Sequence, residues 1–185
     1  MISGGFVGTT GRGIGYAYED KANRKRAIRV KDIFKTDVKQ KIHDAVEYYN
    51  NHLDFICKNL GGREKVVNDV FAKQPSIRKF FDKHLYLNSD VIYDDVMEKK
   101  MFIAQFVKYH EPKKLVQEAA LSGSLLTEGA QGLMLDVDNG TYPFVTSSNT
   151  GIGGAINGLG VFVDYKYRIG IVKAYTTRVG EGPFP

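Results

Sequence analysis

The hydrophobic positions divide the chain into three textures. Between residues 36 and 118 apolar side chains recur with helical spacing. Val38, Ile42, Ala45, Val46, Tyr49, Leu53 and Ile56 follow one another at steps of 4, 3, 1, 3, 4 and 3, which gathers them on one face of a helix. Asp37 offers an N-cap before this run, and Gly61-Gly62 offers a stop after it. Val66, Val67, Val70 and Phe71 predict a second, shorter helix that ends before Pro75. Residues 90–108 predict a third, with Ile92, Val96, Ile103, Phe106 and Val107 facing inward, and Pro112 begins a fourth that runs through Ala120. Beyond Leu121 the period changes. Residues 124–127, Phe144-Val145-Thr146 and residues 167–175, the last built on Ile169, Ile171 and Val172, read as short strands between glycine-rich turns. Helices followed by strands and glycine loops predict an α/β domain whose ligands sit at loops beyond the strand ends. The chain thus reads as a loop and basic segment (residues 1–34), a helical region (35–120) and a strand and glycine-loop region (121–185).

Composition narrows the picture modestly. The net charge of +5, from 26 basic and 21 acidic residues, suits anionic ligands, whether nucleotides or nucleic acid. The single cysteine, Cys57, excludes an internal disulfide framework and fits a reducing compartment. No apolar run approaches the roughly 20 residues that a membrane helix needs. The glycine-rich first 15 residues lack the basic start and apolar stretch of a secretory signal. The expectation is a cytoplasmic protein without a membrane partner. The 20 glycines cluster in residues 4–15, 129–132 and 151–160, where the backbone turns sharply or comes close to a ligand.

The first cluster, Gly8-Thr-Thr-Gly-Arg-Gly-Ile-Gly15, offers backbone N–H groups, two hydroxyls and the Arg12 guanidinium, all of which can hold a phosphate. It lacks the Gly-Lys-Ser/Thr of a P-loop, and its glycines are spaced unlike the dinucleotide fingerprint. Lys21, Arg24-Lys25-Arg26, Arg29 and Lys31 follow. They form either a basic ligand face or a solvated one, and they lack the interleaved aromatics of a nucleic-acid surface. The densest constellation is Glu128-Gly-Ala-Gln-Gly132, then Asp136-Val-Asp-Asn-Gly-Thr-Tyr-Pro143 and Val145-Thr-Ser-Ser-Asn-Thr150. The Gln131 amide can donate and accept, which suits a purine edge. Thr146 to Thr150 form a hydroxyl-rich run that can bind phosphate. Asp136 and Asp138 beside Asn139-Gly140 read as turn chemistry, and a calcium loop is excluded because Ser147 stands where its glutamate would be. His43, His52, His84 and His110 show no metal-ligand spacing, and Cys57 falls on the apolar side of the long helix. No Gly-x-Ser-x-Gly elbow occurs.

Three long segments together resemble the adenylosuccinate synthetase family. They are the Gly8 to Gly15 loop with Ala17-Tyr-Glu-Asp-Lys21, the stretch from Glu128 through Asn149, and Ile171-Val-Lys-Ala-Tyr-Thr-Thr-Arg-Val-Gly180 with Gly182-Pro-Phe-Pro185. The resemblance implies part of a mainly parallel-sheet, P-loop-like nucleotide-binding fold with a helical insertion. It implies a ligase of AMP biosynthesis that joins IMP and L-aspartate with GTP and magnesium. GTP phosphorylates the 6-oxygen of IMP, and the aspartate amine then displaces that phosphate. It places Thr10 and Thr146 at the IMP 5′-phosphate and Gln131 at the 6-oxygen. It makes Arg24 reach the IMP of the neighbouring subunit in a homodimer, and it matches Lys21 to a lysine of the same signature, a catalytic candidate together with Gln131.

The family's Gly-Asp-Glu-Gly-Lys-Gly-Lys loop, its catalytic histidine, its arginine-rich loop and its guanine-reading Lys-x-Asp element are not found in the 185 residues. The expectation is therefore a central fragment in which the GTP and magnesium sites are largely missing and no metal ligands remain. The alternative is an inactive remnant that binds IMP or dimerises with an intact enzyme. Tyr16 stands where the family usually has proline, and Asn139 where histidine is common.

Overall fold

The computed structural model describes residues 11–106, 111–178 and 182–183. They fall into two compact units. One comprises Asn23–Lys108, the other Met1–Ala22 together with Tyr109–Pro185.

The Asn23–Lys108 unit is helical. A short 3-10 turn, Val30–Phe34, leads into α2 (Val38–Asn59), followed by α3 (Arg63–Lys73), a second 3-10 turn (Pro75–Phe80) and α4 (Ser89–Ala104). The residue before this series, Asn23, closes α1 (Ile14–Asn23). The apolar period predicts α2 correctly: Val38, Ile42 and Val46 are buried and form the core with Ile33, and Leu87, Ile92, Tyr93, Val96, Met97 and Ile103 pack on it. Asp37 occupies the N-cap position of α2 without a side-chain cap bond. The glycine pair ends the helix as expected. Gly61 and Gly62 both adopt positive φ (+92° and +97°), and the Gly62 N–H reaches back to the Cys57 carbonyl at 2.8 Å, the closing bond of a Schellman-type stop. Helix α4 is N-capped by Asn88, whose side chain accepts from the Asp90 and Val91 N–H groups. It ends at Ala104, short of the expected 108, and Phe106 is 67% exposed rather than inward. Val107 lies outside the described residues.

Side-chain bonds fasten this unit. The Asn50 amide donates to the Leu87 carbonyl and accepts from the Leu87 N–H at 3.1 and 2.9 Å. The Arg63 guanidinium donates to the Leu85 carbonyl at 2.8 Å and pairs with Asp54, with the Tyr86 ring beneath it at 3.6 Å. Buried Asp32 accepts from the Arg29 N–H and pairs with Lys35 and Lys41, at 3.0 and 3.1 Å respectively. These contacts, the Arg29 N–H first, hold its carboxyl well below the usual range. Cys57 is buried, and desolvation pushes its thiol pKa up.

The other unit contains most of α1, then α5 (Pro112–Leu121), a 3-10 turn (Leu133–Leu135) and α6 (Ile152–Leu159). Proline opens α5 as expected. Tyr16 sits in the first turn of α1, a position whose φ proline also tolerates.

The expected α/β class, with its mainly parallel P-loop-like sheet, is overturned. Among the described residues no strand forms, helices dominate, and β pairing is limited to an isolated antiparallel bridge between Phe81 and Leu87. The reason is that strand-forming side chains need a neighbouring backbone and a face to pack on. Around residues 144–146 the backbone bonds locally instead, Phe144 N–H to the Thr141 carbonyl and Thr146 N–H to the Leu135 carbonyl, both at 2.9 Å. In residues 167–175 the apolar side chains find no cover within their unit, and Ile171 is 94% exposed.

Candidate functional site

The Gly132 to Gly151 stretch of the second unit is built around one buried carboxylate. Asp136 is 2% exposed. Its Oδ1 accepts from the backbone N–H groups of Asp138 and Asn139, both at 3.0 Å, and from the Asn139 side-chain amide at 3.1 Å. Its Oδ2 accepts from the N–H groups of Thr150 at 2.6 Å and Gly151 at 3.3 Å, at the start of α6. A buried charge is tolerated when donors satisfy it, and a helix N-terminus favours an anion. The Asn139 N–H is the leading cause that holds this carboxyl far below its ordinary range. Burial opposes the shift, and the Asp138, Thr150 and Gly151 donors reinforce it.

Around this anion the chain folds back on itself. Val137 N–H meets the Ser148 carbonyl at 3.2 Å, Thr141 N–H meets the Met134 carbonyl at 3.0 Å, and Thr146 N–H meets the Leu135 carbonyl at 2.9 Å. The Asn149 amide donates to Asp138 at 2.6 Å, and the Thr150 hydroxyl donates to the Gly132 carbonyl at 2.9 Å. Arg178 joins from the far end of the unit, donating to the Phe144 carbonyl at 3.0 Å and to the Pro183 carbonyl at 3.0 Å. Gln131, at the edge of this network, is exposed and has φ +64°, the left-handed region that a residue with a Cβ seldom takes. The residue is therefore solvent-accessible and sits at a turn of constrained backbone.

The sequence-derived candidates fare unevenly. Gln131 and Thr146 belong to one hydrogen-bonded body through Gly132, Leu135 and Thr150. The start of α1 lies against the same body, since a Cβ placed on Gly15 would stand 3.4 Å from the Ser147 hydroxyl. Thr10, just before it, lies outside the described residues. Lys21 is exposed in the last turn of α1, its ammonium 5.4 Å from the Tyr18 ring centre. Arg24 is exposed in the Asn23–Lys108 unit, directly after α1, with φ +70°.

The turn chemistry expected of Asp136 is present, in its bonds to the Asp138 and Asn139 N–H groups; its reach to Thr150 and Gly151 is what the sequence does not announce. Within the hydroxyl-rich run expected to bind phosphate, the Thr150 hydroxyl instead donates to the Gly132 carbonyl. Asn139 keeps a defined task, donating twice to Asp136. Among the described residues no three His, Cys, Asp or Glu side chains are placed to hold a metal ion, and both Asp136 oxygens are already bonded.

Known proteins match the chain over nearly its whole length. The family model described as adenylosuccinate synthetase matches residues 3–185. An adenylosuccinate synthetase of Thioalkalivibrio sulfidiphilus is 38% identical over 184 residues, covering 97% of this chain and 36% of that protein. One from Vesicomyosocius okutanii is 42% identical over 181 residues, covering 97% and 35%. The solved structure of fully ligated adenylosuccinate synthetase from Plasmodium falciparum is similar at a TM-score of 0.65 and 27% identity, over 96% of this chain and 35% of that one. The chain belongs to the adenylosuccinate synthetase family, and it spans about a third of the length of the relatives it matches.

Among the described residues, no helix is long and apolar enough to cross a membrane.

Proposed function

We propose that the chain supplies the IMP-holding part of an adenylosuccinate synthetase, a cytoplasmic, homodimeric ligase of AMP biosynthesis that joins IMP and L-aspartate with GTP and magnesium. The supporting observation is that Gln131 and Thr146, 15 positions apart in a matched segment, are fastened into one hydrogen-bonded body around Asp136. In this reading the amide of exposed Gln131 faces the 6-oxygen of the purine. An N–H donor there is worth most when the oxygen gains negative charge during phosphorylation. Thr146, with Thr10, holds the 5′-phosphate through hydroxyl donors. Arg24 extends to the IMP phosphate of the partner subunit, where a guanidinium makes a charge-assisted bond. Lys21, in the last turn of α1, matches the lysine of the same signature and is the second catalytic candidate beside Gln131. Magnesium, when bound, would neutralise phosphoryl charge, and GTP is the phosphoryl donor.

Isothermal titration of IMP into the folded 185-residue chain tests the reading. Saturable one-to-one binding that Thr146→Val weakens about tenfold, the worth of one charge-assisted hydrogen bond, is expected. A folded chain that takes up no IMP would overturn it.

A further inference from the structure

We infer that Thr150 is a positioning residue for Gln131: its hydroxyl clamps the loop that presents Gln131 onto the segment that presents Thr146. The inference rests on the reading that Gln131 meets the purine. Thr150 Oγ1 donates to the Gly132 carbonyl at 2.9 Å across 18 residues of chain. That carbonyl belongs to the residue directly after Gln131, so the bond falls beside the peptide whose orientation sets the Gln131 amide. Gln131 holds φ +64°, a conformation unfavourable for a residue with a Cβ, which persists only when its surroundings impose it.

Thr150 is well placed to impose it. Its own N–H is anchored on buried Asp136 at 2.6 Å, so the residue that grips Gly132 is itself fixed. On the other side of the loop, a Cβ built on Gly129 would stand 4.0 Å from the Thr150 carbonyl oxygen. Next along the chain, one built on Gly151 would stand 3.4 Å from the Leu133 side chain. Thr150 thus bonds the Gln131 loop at Gly132 and lies near it at Gly129, while Asp136 ties it to the Leu133–Leu135 turn that receives the Thr146 N–H. The distance between the purine-facing amide and the phosphate-facing hydroxyl is set through this residue. The hydroxyl is the one part of Thr150 that a valine of similar shape lacks, whereas a serine retains it.

Three chains test this: wild type, Thr150→Val and Thr150→Ser, each read by peptide-level amide hydrogen exchange and by IMP titration, with Gln131→Ala as a reference in the titration. Peptides from the Asn23–Lys108 unit serve as an internal control for intact folding. Thr150→Val should exchange about tenfold faster over residues 129–136 and bind IMP about tenfold more weakly, the loss of one hydrogen bond. Thr150→Ser should restore both, a rescue that mere filling of space would not give. Unchanged exchange over residues 129–136 in Thr150→Val overturns the clamp. Faster exchange with undiminished IMP affinity, where Gln131→Ala does lose affinity, overturns the positioning role. If Gln131→Ala binds IMP as wild type does, the functional reading fails instead, and the clamp stands or falls on the exchange rates alone.

Discussion

Replacing Gly140 by alanine probes how tightly the chain is wound around Asp136. Gly140 donates its N–H to the Asp136 carbonyl at 2.8 Å. A Cβ on Gly140 would stand 2.5 Å from the carbonyl oxygens of both Asp136 and Met134, and 2.8 Å from the Asp136 nitrogen. Comfortable carbon contacts begin near 3.5 Å, so the added methyl overlaps three backbone atoms by up to about 1 Å. None of the three can rotate away as a side-chain tip could. The turn must open, which strains packing by about 1–3 kcal/mol and weakens at least one hydrogen bond worth about 1 kcal/mol. Gly140 is not among the positive-φ glycines, so the cost is steric rather than conformational. Local opening of residues 134–151 should therefore become favoured by about 2–4 kcal/mol, a factor of about thirty to a thousand. Native-state amide exchange reads that opening residue by residue. Gly158→Ala is the control. Gly158 lies in α6 with open space where its Cβ would be, and alanine there should stabilise the helix by about 0.5–1 kcal/mol. Wild-type exchange in the Gly140 variant would refute the tight turn.

Two further perturbations separate the units. Ile42, 1% exposed at the centre of the Asn23–Lys108 core, should lose about 2–5 kcal/mol of stability on truncation to alanine; a urea midpoint unmoved from wild type would contradict that core. Asp136 has its folded-state pKa depressed, so the stability it contributes is fully present above its unfolded pKa, near 4. That contribution is lost as pH falls through the lower folded pKa. Exchange protection of residues 134–151 should accordingly hold from neutral pH down to about 5 and decline below about 4, whereas Asp136→Asn should be less protected throughout and flatter with pH. Parallel profiles for the two chains would refute the role. The readout must be local, because Asp32 is depressed in the same direction in the other unit.

The sequence made the helices legible and left the rest less so, for physical reasons. Val38, Ile42 and Val46 carry a period that one helix can satisfy by itself, and Gly61-Gly62 ends it with bonds three to five residues long. A strand needs a partner, so Ile169, Ile171 and Val172 announce a preference and not a ladder. At the candidate site, Gln131 and Thr146 were legible as types suited to a purine and a phosphate. The residues that hold them were not: Asp136 reaches Thr150 across 14 positions, and Thr150 reaches Gly132 across 18. Side chains bonded to distant backbone leave no periodic trace.

The proposed reading of the purine 6-position by the Gln131 amide is tested most directly by the ratio of IMP to AMP affinity in wild type and Gln131→Glu. An amide can donate to the 6-oxygen of IMP, whereas an ionised carboxylate can only accept and suits the 6-amino group of AMP. Gln131→Glu should lower IMP affinity by at least about tenfold relative to AMP, with Thr146→Val weakening both nucleotides alike. An IMP to AMP ratio unchanged by Gln131→Glu would contradict it.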